Sequence, residues 1–150
     1  MVSQHQLSCG AAGCYNVLWP PMLLHSFLDY HGAATPDAEF AVQDDRRLTY
    51  SEAVAAANQF ANALVAAGLT PGDRFAFLAK NSIEYALMYY AGSKSGTVPV
   101  PLNYRLAPPE WEFIINDSDS KLLIADAEYC EAIDSIRGTS TGAPNDLDWQ

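Results

Sequence analysis

The sequence is poor in basic residues, and this scarcity argues against a polyanionic partner. Its 150 residues include 8 Lys and Arg against 18 Asp and Glu, which gives a formal net charge of -10 at pH 7. A field of that sign repels nucleic acid unless basic residues cluster locally. The one basic pair, Arg46-Arg47, directly follows Asp44-Asp45, as is typical of a polar turn. We therefore expect no binding to nucleic acid.

Long apolar runs are also absent, which argues against a membrane-spanning helix. Such a helix needs about 20 mostly apolar residues, whereas Val17-Leu18-Trp19 is interrupted by Pro20-Pro21. The first six residues lack the basic cluster and apolar core of a secretory signal. Cysteine is scarce and odd in number, at three residues, which indicates reduced thiols rather than a disulfide framework. These features together predict a cytoplasmic protein.

Glycine-rich nucleotide-binding turns are missing as well. No Gly-x-Gly-x-x-Gly sequence occurs, which argues against a dinucleotide-binding domain. The small-residue segment Cys9–Cys14 lacks the lysine and hydroxyl residue of a phosphate loop. The four-residue gap between its two cysteines, with no second cysteine pair, does not fit a zinc site. We assign no metal ligands.

Apolar residues recur at helical and strand spacings that alternate along the chain, which is typical of an α/β fold. We predict a parallel sheet with crossover helices on both faces and a short N-terminal hairpin. The predicted elements are a helix from Met22 to about Gly32, hairpin strands over 39–43 and 47–50, a helix from Ser51 to Gly68, a strand over 74–79, a helix over 83–95, a strand over 97–100 ended by Pro101, a helix starting at Pro108-Pro109, a strand over 121–125 and a helix over 127–136.

The patterned region defines one partial domain between two less regular ends. Residues 21–137 carry all the predicted elements. Residues 1–20 are an unassigned leader, for which a disordered extension and a wrongly chosen start codon both fit. We predict that residues 138–150 are a polar tail or a truncated connection.

Three short motifs follow one another at characteristic spacing. The first is Leu48-Thr49-Tyr50, the second is Gly72-Asp73, and the third comprises Gly96, Pro101-Leu102-Asn103 and Arg105. In this order they resemble the first core motifs of the adenylate-forming, AMP-binding synthetases. The resemblance covers about residues 23–131. Asn103 favours the acyl-CoA synthetases, because peptide-synthetase domains tend to carry aspartate at that position.

The resemblance implies an incomplete N-terminal domain of an AMP-dependent acyl-CoA synthetase. Such enzymes use ATP and Mg²⁺ to convert a carboxylic acid to an acyl-adenylate, and then form a thioester with coenzyme A. Their Ser/Thr/Gly-rich phosphate loop with its lysine, their aromatic-Thr-Glu segment, their ribose-binding aspartate and their C-terminal-domain lysine have no counterpart here. We therefore assign no catalytic or cofactor-binding residue, and expect the chain alone to bind ATP poorly and to be inactive. The alternative is a non-catalytic binding or interaction module.

The motif residues are expected to act structurally. Thr49 and Tyr50 should pack a hairpin before a helix, and Gly72-Asp73 should form a turn. Arg105 is expected to pair with a carboxylate that fixes its loop, the alternative being a direct contact with a ligand. A parallel sheet of three strands leaves an edge and apolar helix faces bare, so we also expect self-association of the chain.

Overall fold

The computed structural model describes residues 22–136, which form five α-helices and five β-strands. The predicted leader, 1–20, and tail, 138–150, lie outside this range. In chain order the elements are α1 (Leu24–Ala34), β1 (Glu39–Gln43), β2 (Arg46–Thr49), α2 (Tyr50–Ala66), β3 (Arg74–Leu78), α3 (Ile83–Ser95), β4 (Val98–Leu102), α4 (Pro108–Asp117), β5 (Ser120–Ala125), a 3-10 turn (Ala127–Tyr129) and α5 (Cys130–Ile136). The predicted α/β alternation is confirmed.

The N-terminal hairpin forms as predicted. Strands β1 and β2 pair antiparallel, with Gln43 opposite Arg46 across the Asp44-Asp45 turn. Asp44 adopts a positive φ of 52°, a conformation that Asp tolerates better than most residues. The hairpin packs with α1, α2 and α3 around buried Leu28, Ala53 and Leu87.

The parallel sheet has the strand order β4-β3-β5, so β3 lies at the centre of the strands formed by residues 22–136. Its side chains alternate between two cores, because successive residues of a strand point to opposite faces. Phe75 and Phe77 pack with α2 and α3, whereas Ala76 and Leu78 pack with α4 and α5. The predicted helix layers on both faces are confirmed.

Strand β4 is longer than the sequence indicated. We predicted that Pro101 would limit it, but it continues to Leu102 and contains Pro99 as well. The Val98 N–H donates to the Asp73 carbonyl on the β3 side. Residues of a strand alternate in direction, so the nitrogens of Pro99 and Pro101 point away from β3, where no ladder hydrogen bond is lost. The prolines therefore occupy an edge of the described sheet without breaking it.

A glycine lets α3 lie close to this edge strand. A Cβ on Gly92 would stand 2.9 Å from the Pro99 Cδ and 3.1 Å from the Thr97 carbonyl oxygen. Helix α3 ends at Ser95, as predicted, and Gly96 follows it in a left-handed conformation with φ 75°.

Three predicted helices differ from the structure. Helix α1 runs from Leu24 to Ala34 rather than from Met22 to about Gly32. Helix α2 begins at Tyr50, which was predicted to lie in the second hairpin strand, and ends at Ala66. The helix predicted over 127–136 is divided into a 3-10 turn and α5. None of these differences changes the topology. Within residues 22–136, no helix combines the length and apolarity needed to cross a bilayer.

Candidate functional site

The connections of the parallel sheet create a crevice between β3 and β4. The chain leaves β3 toward α3 on one face of the sheet and leaves β4 toward α4 on the other. Neighbouring strands whose connections diverge in this way leave a gap beyond their carboxyl ends. Ligands of open α/β sheets bind preferentially at such a switch point.

An open cleft of about 280 Å³ occupies this position. Its walls come from the end of β4 and the two diverging loops, with one tyrosine from α3. The lining residues are Ala79, Asn81, Tyr85, Pro101, Leu102, Asn103 and Tyr104. Two carboxamides and two phenols supply neutral hydrogen-bonding groups, and none of the lining side chains is charged. The cleft thus suits a neutral, polar or aromatic group better than a highly charged one.

Asn103 organises the loop that follows β4. Its side-chain oxygen accepts a hydrogen bond from the Arg105 backbone N–H at 3.0 Å. Its carbonyl accepts one from the Trp111 indole at 2.8 Å and another from the Leu106 N–H at 3.1 Å. Trp111 is buried in the core beneath α4, so the loop is tied to that core. These bonds fix the backbone at one wall of the cleft.

Arg105 does not form the predicted carboxylate pair within residues 22–136. Its Nε donates to the Tyr104 hydroxyl at 3.3 Å, and its guanidinium carbon lies 5.6 Å from the centre of the Tyr104 ring. The side chain is exposed next to the cleft. We predicted a carboxylate partner because arginine side chains in loops often form ion pairs. Here the partner is the adjacent aromatic ring of Tyr104.

The lysine in the loop after β3 is already paired. The Lys80 ammonium donates to the Glu128 carboxylate at 2.7 Å, and this hydrogen bond raises the pKa of Lys80. The same region is joined by a backbone bond from the Asp126 N–H to the Leu78 carbonyl at 2.9 Å. Lys80 therefore connects the carboxyl ends of β3 and β5.

The second motif lies at the opposite end of the sheet. Gly72 adopts φ 92°, and its N–H donates to the Gly96 carbonyl at 2.9 Å. The Asp73 carboxylate accepts hydrogen bonds from the backbone N–H and the hydroxyl of Thr70, both at 2.7 Å, and pairs with Lys121 at 2.6 Å. Gly72, Asp73 and Gly96 thus join the amino ends of the three strands. The predicted turn at Gly72-Asp73 is confirmed.

Asp73→Asn is expected to lower stability at pH 7 and to do so less in acid. The Lys121 ammonium and the Thr70 donors hold the pKa of Asp73 well below its ordinary value of 3.8. A carboxyl whose pKa is depressed by folding stabilises the fold above that ordinary value, and the contribution is lost as the pH falls toward the lower, folded-state pKa. Urea unfolding of both proteins at pH 7 and pH 3 measures the change.

Asp119→Asn is the matched control. Asp119 pairs with Arg74 at 3.3 Å, but its side chain is 78% exposed, and exposed pairs contribute little to stability. A difference between the wild-type chain and Asp73→Asn that is as large at pH 3 as at pH 7 would show that the ionised carboxylate is not the cause.

The first motif forms the junction between the hairpin and α2. Thr49 caps the helix, since its hydroxyl accepts from the Glu52 N–H at 3.3 Å and its own N–H donates to the Glu52 carboxylate at 2.8 Å. The bond from the Thr49 N–H, together with one that the Thr49 hydroxyl donates to the same carboxylate at 2.9 Å, lowers the pKa of Glu52. The Tyr50 ring lies 5.0 Å from that of His31 and 5.5 Å from that of Phe40, and Leu48 packs in the same cluster. This reciprocal cap starts α2 directly after the strand.

The structure therefore separates the motifs. Only Pro101, Leu102 and Asn103 line the cleft, with Arg105 beside it. Three further lining residues were not predicted as site residues, namely Asn81, Tyr85 and Tyr104. Asn81 and Tyr104 could have been predicted from the sequence, because each comes shortly after a predicted strand, and the carboxyl ends of parallel strands lie at one edge of the sheet. Tyr85 could not have been predicted as a site residue, since its spacing on α3 fits core packing equally well.

Comparison with known proteins agrees with the motif series. The sequence profile described as AMP-binding enzyme matches residues 28–146. The long-chain-fatty-acid–CoA ligase FadD13 of Mycobacterium tuberculosis is 43% identical over 105 residues, which cover 70% of this chain and 21% of the relative. The fatty acid–[acyl-carrier-protein] ligase ScoC of Streptomyces coeruleorubidus is 38% identical over 107 residues, 71% of this chain and 21% of the relative.

Solved structures show the same similarity. The N-terminal domain of FACL13 from M. tuberculosis superposes with a TM-score of 0.76 at 38% identity, covering 80% of this chain and 31% of that one. The anthranilate CoA ligase AuaEII gives a TM-score of 0.78 at 28% identity over 81% of this chain and 24% of its own. The chain thus spans about a fifth of the length of its curated relatives. The match over residues 28–146 shows that this chain belongs to the AMP-binding enzyme family, and its described residues have the fold of a part of the N-terminal domain of such ligases.

Proposed function

We propose that the protein acts as an AMP-forming acid–thiol ligase, to which the described residues contribute a supporting part of the site. The observation that carries this proposal is the family match over residues 28–146, together with relatives named as CoA and acyl-carrier-protein ligases. The substrate would be a carboxylic acid. Since two of these relatives are named for fatty acids, fatty acids are the first class to test.

Residues 22–136 do not by themselves fit ATP with Mg²⁺. The cleft of about 280 Å³ is at the lower limit for a small-molecule site and is lined by neutral side chains. Lys80 in the adjoining loop is paired with Glu128. No group of three His, Cys, Asp or Glu side chains in this part of the chain is placed to hold a metal ion. The groups that stabilise phosphate charge would have to come from other residues, so the chain alone is proposed to be inactive.

The proposed contribution of this chain is therefore positional. The motif residues Thr49, Asp73 and Gly96 would fix the helices and strands relative to one another. Asn103 would hold the backbone at the carboxyl end of β4, where later parts of a complete site could meet it. Arg105 is the one motif cation exposed beside the cleft, which leaves it available to an anionic group.

Sequencing the coding DNA past the codon for Gln150 tests the proposal. We expect the reading frame to continue into a Ser/Thr/Gly-rich segment with a lysine, the phosphate loop that the family resemblance implies. A stop codon at that point would contradict the proposed enzyme and favour the alternative, a non-catalytic binding module.

A further inference from the structure

Trp111 is a buried residue that contacts the wall of the cleft from within the core. It lies near the start of α4, outside the three sequence motifs and outside the lining of the cleft. Its side chain is only 4% exposed, and its ring centre lies 5.9 Å from that of Tyr129, with the two rings inclined at 77°. A large ring packed in this way cannot turn freely, so its one polar group has a fixed direction.

The indole of Trp111 donates its hydrogen bond to the backbone of the cleft wall. Its Nε1–H binds the Asn103 carbonyl oxygen at 2.8 Å, although the two residues are eight positions apart. An indole has only this one donor, and a buried donor without a partner costs free energy. The packing of the ring and the need to satisfy its N–H therefore fix the Asn103 carbonyl at one position relative to α4.

Trp111 also holds the same loop through an apolar contact. The residue that precedes α4 is Ala107, so Leu106 and Trp111 occupy the two positions of a hydrophobic staple. Both side chains belong to the core between the sheet and helices α4 and α5. A staple of this kind fixes the angle at which the chain enters a helix. Trp111 thus holds the loop after β4 at two points, one apolar and one polar.

The motif residues beside the cleft depend on the orientation of Asn103. The Asn103 side-chain oxygen accepts from the Arg105 N–H at 3.0 Å, and its carbonyl accepts from the Leu106 N–H at 3.1 Å. We propose that Trp111 is a positioning residue of the cleft, whose indole N–H orients Asn103 and, through Asn103, the backbone from which Arg105 extends. The role of the cleft rests on the proposed function, but the test below uses no activity, so the two can fail separately.

An isosteric replacement separates the hydrogen bond from the packing. Trp111→3-benzothienylalanine, introduced site-specifically into the full 150-residue chain, replaces the N–H by sulfur and keeps the shape of the ring. Amide hydrogen exchange measured by NMR reports opening of the loop and of the sheet separately. Because one neutral hydrogen bond is lost, protection of the Arg105 and Leu106 N–H groups should fall about fivefold. Protection of the Phe77 N–H, in the central strand, should not change.

Trp111→5-fluorotryptophan is the matched control, because it alters the ring but retains the N–H. It should leave the exchange of the loop amides unchanged. In the unaltered chain, the Trp111 indole proton should exchange at least about fivefold more slowly than that of free tryptophan, since it is bonded and buried. Unchanged protection of Arg105 and Leu106 in the benzothienyl variant, an equal loss at Phe77 or in the fluorinated control, or an indole proton that exchanges at the free rate would each overturn the proposal.

Discussion

Phe77→Ala is expected to lower the free energy of unfolding by about 3–5 kcal/mol, the usual cost of removing a buried aromatic side chain. Phe77 lies in the central strand and is fully buried. Its ring centre is 4.8 Å from that of Tyr85 and 5.7 Å from that of Tyr89, both on α3. The alanine variant would lose these contacts and leave a cavity between the sheet and α3. Small domains are stable by only about 5–15 kcal/mol, so this loss removes a large share of the free energy that keeps the chain folded.

Urea denaturation followed by circular dichroism measures this loss. The control is Phe113→Ala, which removes the same atoms from a side chain that is 67% exposed. Surface substitutions usually change stability by no more than about 0.5 kcal/mol. Equal destabilisation by the two substitutions would mean that Phe77 does not hold the sheet and α3 together.

The local signals in the sequence were enough to predict most elements. Gly68 and Gly96 follow α2 and α3 in left-handed conformations that favour glycine. The apolar run of β3 predicted a strand buried on both faces, and Phe75 and Leu78 are fully buried. Each of these features is set by neighbouring residues, which is why sequence patterns revealed them.

The features that were missed depend on residues distant in the sequence. Pro101 ends a strand only when its missing N–H faces a partner, and here the described partner strand lies on the other side. The partner of Arg105 is an exception, because Tyr104 is its neighbour in the sequence; what was wrong was the kind of group expected, a carboxylate rather than a phenol. Self-association of the chain remains a prediction.

The second large expected effect is the absence of ligase activity when residues 1–150 are tested by themselves. Adenylation builds charge on phosphate oxygens, and losing a single group that stabilises such charge typically slows a reaction by about 10²–10³-fold. The cleft at Asn103 has a neutral lining, and Lys80 is already paired with Glu128. Under the proposed function, several such groups are absent together. Activity of residues 1–150 should therefore be undetectable, whereas a product that includes the later motifs should be active.

Exchange of labelled pyrophosphate into ATP, dependent on an added fatty or aromatic acid, measures acyl-adenylate formation most directly. We expect no acid-dependent exchange for residues 1–150, and clear exchange for the longer product of a continuing reading frame at the same concentration. Acid-dependent exchange by residues 1–150 alone would contradict the claim that this chain only supports a site completed by other residues.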